Sequence, residues 1–166
     1  AATDSRVWLG LRGPVILGHA IVVELALEPG DDGFLRFAEV EDGQGYAKHL
    51  LPVHGLGLRD LRRLGDDILC LTGPTLDAAG PARIVRWRGA MATASSGVVA
   101  EDALEPLIDL PMLMDGDKAE GLARWPEAGP DAWIVVHDDP APARLDRGAR
   151  TLTADILRLP GTAPGR

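Results

Sequence analysis

A motif that recurs along the chain limits its fold more than any other feature. Leu9-Gly10-Leu11-Arg12-Gly13-Pro14 resembles Leu69-Cys70-Leu71-Thr72-Gly73-Pro74. Val135-Val136-His137-Asp138-Asp139-Pro140 is a looser third copy. Each copy is a short apolar run halted by glycine or aspartate and then by proline, which cannot donate to a strand ladder. Internal repetition at this spacing points to an architecture of stacked, similar units.

The segments around the motif read as strands. Ile21, Val23, Leu25 and Leu27 alternate with Val22, Glu24 and Ala26, the period of two of a half-buried strand. Arg6 to Leu11, Phe34 to Val40 and Ala82 to Trp87 are further strand-length runs bounded by glycine and proline. Ile68 to Thr72 and Ala132 to His137 are apolar on both faces, which suits strands covered on two sides. Before the second and third copies, Gly57-Leu58-Arg59-Asp60-Leu61 and Lys118-Ala119-Glu120-Gly121-Leu122 lead through polar turns into the apolar run. The spacing of Leu58, Leu61 and Leu64, and the stretch from Glu101 to Leu110, also admit short helices, although Pro106 and Pro111 interrupt the latter.

The expected fold is therefore all-β, a single domain over 1–166 built from β-propeller-type blades. Three blade-like units are visible, near 6–50, 51–100 and 101–160, the first without an inner strand. Closed propellers use about four to eight blades. The expectation is thus part of a larger ring, completed by a missing N-terminal portion or by a second chain.

Charge limits the partners. Asp plus Glu total 25 against 17 Lys plus Arg, a net charge of −8, and an acidic surface repels phosphate backbones. Nucleic acid is not an expected partner. No run of residues is long and apolar enough for a bilayer span, so a membrane is not expected either. No signal peptide is visible, and the start Ala1-Ala2-Thr3-Asp4 reads as processed, trimmed or truncated. That leaves cytoplasmic and exported locations both open. The single cysteine, Cys70, sits in an apolar run and reads as a small core residue.

Two groups of residues carry candidate chemistry. Asp115, Asp117 and Glu120 place three carboxylates within six positions, hard oxygen ligands of the kind calcium takes; the alternative is a solvated turn entering a strand. Arg59, Asp60, Lys118 and Glu120 would converge if both lead-in strands line one channel. Such a mixed-charge pocket suits a small anionic ligand or a positioned water; the alternative is a set of structural salt bridges. His137, Asp138 and Asp139 resemble a base beside carboxylates, but neighbouring strand residues point to opposite faces. No Gly-x-Ser-x-Gly elbow is present. Trp8, Trp87 and Trp133 read as core, and Trp125 as a loop residue near a ligand surface.

Four ordered segments resemble a known family. They are Val7 to Val15, Gly55 to Leu61, Gly65 to Thr75 and Arg86 to Gly89. The chain from Arg6 to Leu159 resembles DUF3616, a bacterial domain-of-unknown-function family; an arginine-rich, lysine-poor composition accords with a GC-rich bacterial source. The resemblance implies a propeller-like fold in a longer protein. Glu120-Gly121-Leu122 also resembles the blade-opening element of phytase-like and esterase-like propellers, which implies a channel metal ligand at Glu120, with Asp60 at the related position one repeat earlier. Two functions follow as expectations: a binding or scaffold module that contributes blades to a larger assembly, or a metal-dependent phosphoesterase- or esterase-like hydrolase.

Overall fold

The chain was analysed as a computed structural model that describes residues 1, 5–75, 80–93, 95–111 and 117–163. It runs through β1 (Arg6–Gly10), β2 (His19–Pro29), β3 (Leu35–Ala38), β4 (Tyr46–Pro52), β5 (Gly57–Leu64), β6 (Asp67–Gly73) and β7 (Ala82–Trp87). It continues through β8 (Gly97–Val98), β9 (Leu104–Leu110), β10 (Lys118–Arg124), β11 (Ala132–Asp138), β12 (Leu145–Asp146), β13 (Thr151–Leu152) and β14 (Asp155–Arg158). The helical segments among the described residues are 3-10 turns of three residues. The protein is all-β, as its alternation and turn residues require.

The strands form three principal sheets. The first has the order β1-β2-β4-β8, with β3 pairing on β2. The second is β5-β6-β7-β9 and the third β10-β11-β14, both fully antiparallel. None of them closes on itself. The leucines of 58–64 lie in β5 rather than a helix. Of 101–110 only the first three residues make a helical turn before β9 begins. Pro106 lies opposite Val85 on β9, the edge strand of its sheet and next to a register shift at Ile84/Val85, where proline is tolerated.

Two cores lie between the sheets. Trp8, Ala20, Val22 and Leu51 of the first sheet pack on Leu58, Leu61, Ile68, Cys70, Val85 and Trp87 of the second. Leu69, Leu71, Ala82 and Ile84 on the other side of the second sheet pack on Ala119, Leu122, Trp133 and Val135 of the third. The middle sheet is thus covered on both faces, which explains why Ile68–Thr72 is apolar throughout. Trp8, Trp87 and Trp133 are core residues, and Trp125 is partly exposed. Alternation in β2 is as read, but its fully buried face carries Ala20, Val22, Glu24 and Ala26. The bulkier Ile21, Val23, Leu25 and Leu27 are only half-buried.

Strand pairing sets the true register of the repeat. The pairs Val7–Leu25 and Leu9–Val23 in the first sheet match Ile68–Trp87 and Cys70–Val85 in the second. They match Trp133–Leu157 and Val135–Asp155 in the third. The sequence motif set Leu9 against Leu69 and Val135; it is therefore one residue out of step at the second copy, where Cys70 stands level with Leu9, and in step at the third. Loop lengths differ between units, and a slip of one residue exchanges the two faces of a strand.

No helix among the described residues is long and apolar enough to cross a membrane.

Candidate functional site

The lead-in strands β5 and β10 each carry one extra residue. The pairing of β5 with β6 shifts between Leu58 and Asp60, and that of β10 with β11 between Ala119 and Gly121. Arg59 and Glu120 are the bulged residues, and bulges re-aim side chains. The related position to Glu120 is therefore Arg59, not Asp60. Ala119 follows Leu58, and Gly121 stands where Asp60 does.

These two bulges face each other. Arg59 Nη1 donates to Glu120 Oε1, and Nη2 donates to the Pro74 carbonyl. The Arg59 side chain is 2% exposed and Glu120 24%. A second guanidinium, Arg12 just past β1, lies 3.6 Å from the same Glu120 oxygen and is 47% exposed. One carboxylate thus sits between two guanidiniums, Arg59 of β5 and Arg12 in the segment that follows β1.

Backbone crowding holds this geometry. Leu58 donates its N–H to the Leu11 carbonyl at 3.1 Å. A Cβ on Gly57 would fall 2.0 Å from the Arg12 carbonyl oxygen, so only glycine lets β5 pass beneath the end of β1.

Asp60 has a different task. Its Oδ2 accepts the Leu122 N–H of the third sheet at 2.8 Å, and its Oδ1 accepts the Leu61 N–H at 2.8 Å. Arg62 also pairs with it at 2.9 Å. Arg59 and Asp60 line a cavity of about 210 Å3 with Trp8, Gly10, Leu58 and Leu61. Lys118 turns to Asp139, 3.5 Å away. Of the four expected binding residues, the structure joins Arg59 to Glu120 directly. Asp60 enters as a tie between sheets, and Lys118 pairs elsewhere.

Of the acidic stretch, Asp117 and Glu120 are engaged by different arginines. Asp115 lies outside the described residues. Asp117 is buried, and both its oxygens accept from Arg144 Nε at 2.7 Å. It also accepts the Ala141 N–H at 3.1 Å. A carboxylate so occupied, with a guanidinium in contact, does not fit a calcium site. Glu120 is likewise held by arginines. Among the described residues no group of three His, Cys, Asp or Glu side chains is placed to share a metal ion.

Two buried networks were not legible in the sequence. Arg144 also binds Asp155, at 2.9 and 2.7 Å, and Asp155 accepts from His137 Nε2 at 2.9 Å. Burial acts to raise the Asp155 carboxyl, but hydrogen bonds and charge from Arg144 and His137 outweigh it and hold the group below its ordinary value. His137 is buried and Asp138 exposed, so the two face apart as strand geometry requires. The second network is Glu24, His49 and Arg6. Its one sequence signal is Glu24 standing at the buried parity of β2.

No curated protein and no solved structure matches the chain. Residues 1–155 match the family model described as Protein of unknown function (DUF3616), and the chain belongs to that family.

Proposed function

We propose that the chain is a binding module of the β-propeller type, and that it takes a small anionic molecule at Arg12 and Arg59. One observation carries this reading: Arg12 from the loop after β1, Arg59 of the second sheet and Glu120 of the third meet at one point. Stacked antiparallel sheets whose lead-in strands converge are the wiring of propeller blades. The convergence of charges at their mouth is what a ligand site in such a module needs.

Glu120 orients Arg59 and draws Arg12 beside it, and the partly exposed Arg12 fork supplies donors for a carboxylate or phosphate. The acidic surface elsewhere makes this the exception in an otherwise anion-repelling field. The test is calorimetric titration with inorganic phosphate and citrate. Binding that weakens about tenfold in Arg12→Ala, a loss of about 1.4 kcal/mol, and is unchanged in Lys48→Ala supports the reading. No binding by the native chain, or equal binding by Arg12→Ala, overturns it.

A further inference from the structure

The same four-residue unit faces the same way in all three sheets. Ile68, Cys70, Val85 and Trp87 of the second sheet are buried beneath the first sheet. Trp133, Val135, Asp155 and Leu157 of the third lie toward the second; Trp133 and Val135 are in the core there, with Leu157 packed against it. Their counterparts in the first sheet, Val7, Leu9, Val23 and Leu25, face away from the rest of the protein. Leu9 is 47% exposed, and the neighbouring Tyr46 is 40% exposed.

The opposite end shows the converse. Leu69 and Leu71 of the second sheet are fully buried beneath the third. By register their counterparts in the third sheet are Ile134 and Val136, and Ile156 pairs beside Ile134. Val136 and Ile156 are 43% and 52% exposed. The chain thus ends in two uncovered apolar faces, each of a kind that is covered inside the protein by the other kind. Lys48 pairs with Val23 and shares its face. Asp138 continues the exposed parity of Ile134 and Val136. Lys118, opposite Asp138, and Arg158, at the exposed parity of Ile156, lie on that face too, so the two faces are alike in apolar character and are not opposite in charge.

We propose that these faces meet between two copies of this chain, the first sheet of each seated on the third sheet of the other. The inference rests on the stacked-sheet reading given above. Head-to-tail contacts form a closed ring when their rotation closes and an open filament when it does not. Two copies bring six principal sheets, inside the range of about four to eight that closed propellers use. An uncovered apolar face of this kind is a site of association.

Native mass spectrometry and light scattering of the full chain test the stoichiometry. A species of twice 17.6 kDa, reduced to single chains by Val136→Asp with an unchanged circular dichroism spectrum, is expected. A single chain at every concentration overturns the second copy, as does an open-ended series of oligomers. The facing is tested by mixing Leu9→Cys chains with Val136→Cys chains under oxidation. Crosslinks between the two variants, and not within either alone, are expected. A single chain that still binds phosphate overturns only this inference. Crosslinks between like faces overturn the stacked-sheet reading itself.

Discussion

Glu24 of β2 and His49 of β4 lie 2.9 Å apart, Oε2 to Nε2, with neither side chain more than 2% exposed. They stand side by side in the face that covers the second sheet, where apolar residues surround them. Arg6 donates to the other Glu24 oxygen, and the His49 ring meets Trp87 edge-on at 5.2 Å. Removing one member of a buried hydrogen-bonded pair leaves the other without its partner. Glu24→Ala is expected to lower stability by about 1–3 kcal/mol in urea denaturation. A loss below about 0.5 kcal/mol, the range of ordinary surface changes, would show that the pair is not buried as described.

Arg144 is the sole described guanidinium in contact with the buried Asp117, and it holds Asp155 as well. Arg144→Met is expected to cost about 3–5 kcal/mol, because the Asp117 carboxylate is left without its counter-charge. The Asp155 carboxyl is held below its ordinary value, so its contribution is present above the unfolded pKa. It is lost as pH falls through the depressed folded value. Thermal melts from pH 5 downward should therefore fall more steeply in the native chain than in Asp155→Asn. Parallel curves would rule out the linkage.

Burial pushes the Cys70 thiol up to about 12. A raised thiol stabilises the fold below its unfolded pKa, and that contribution is lost as pH rises toward the folded one. Between pH 9 and 12 the native chain should lose about 1.4 kcal/mol per pH unit more than Cys70→Ala. At pH 8 the folded protein should not react with a thiol-specific reagent, whereas the unfolded chain reacts once. Rapid labelling of the folded chain would place Cys70 at the surface.

Asp60 joins two sheets through the Leu122 N–H. In Asp60→Ala that donor is left without its acceptor, at a cost of about 1–3 kcal/mol. Asp60→Asn keeps a carbonyl acceptor and should recover at least half of the loss. Equal losses in both variants would assign the effect to the Arg62 ion pair instead.

Gly57 is a steric test of the β1–β5 crossing. Gly57→Ala forces the Arg12 carbonyl away and is expected to cost about 1–3 kcal/mol as overpacking does. The Arg12–Glu120 contact should loosen with it, so phosphate binding should weaken together with stability. An alanine accepted without loss would mean that the crossing is looser than described.

Fold class was legible because strand periodicity and turn chemistry are local. The runs at Ile68–Thr72 and Ala82–Trp87 match β6 and β7 within a residue of each end. Strand β4 was not visible: Tyr46, Lys48 and His49 make a mixed pattern, and its alternation shows only once β2 lies beside it. The candidate site was half legible. Arg59 and Glu120 were picked out by their places in a repeat, and they do meet. Arg12 was not: it stands in the recurring motif, but its charge is not repeated in the other copies, which carry Thr72 and Asp138 there. The networks of His137 with Asp155 and Glu24 with His49 join residues far apart in the chain, and no local spacing announces such a pairing.

The sequence by itself determined that the chain is all-β, that it repeats, and that one sheet is apolar on both faces, because these follow from side-chain period and from what glycine and proline permit. The tertiary structure alone decided which face of each strand is buried and which charges meet. A bulge or a loop longer by one residue exchanges the two faces of a strand, and its outcome is fixed only by the sheet packed against it.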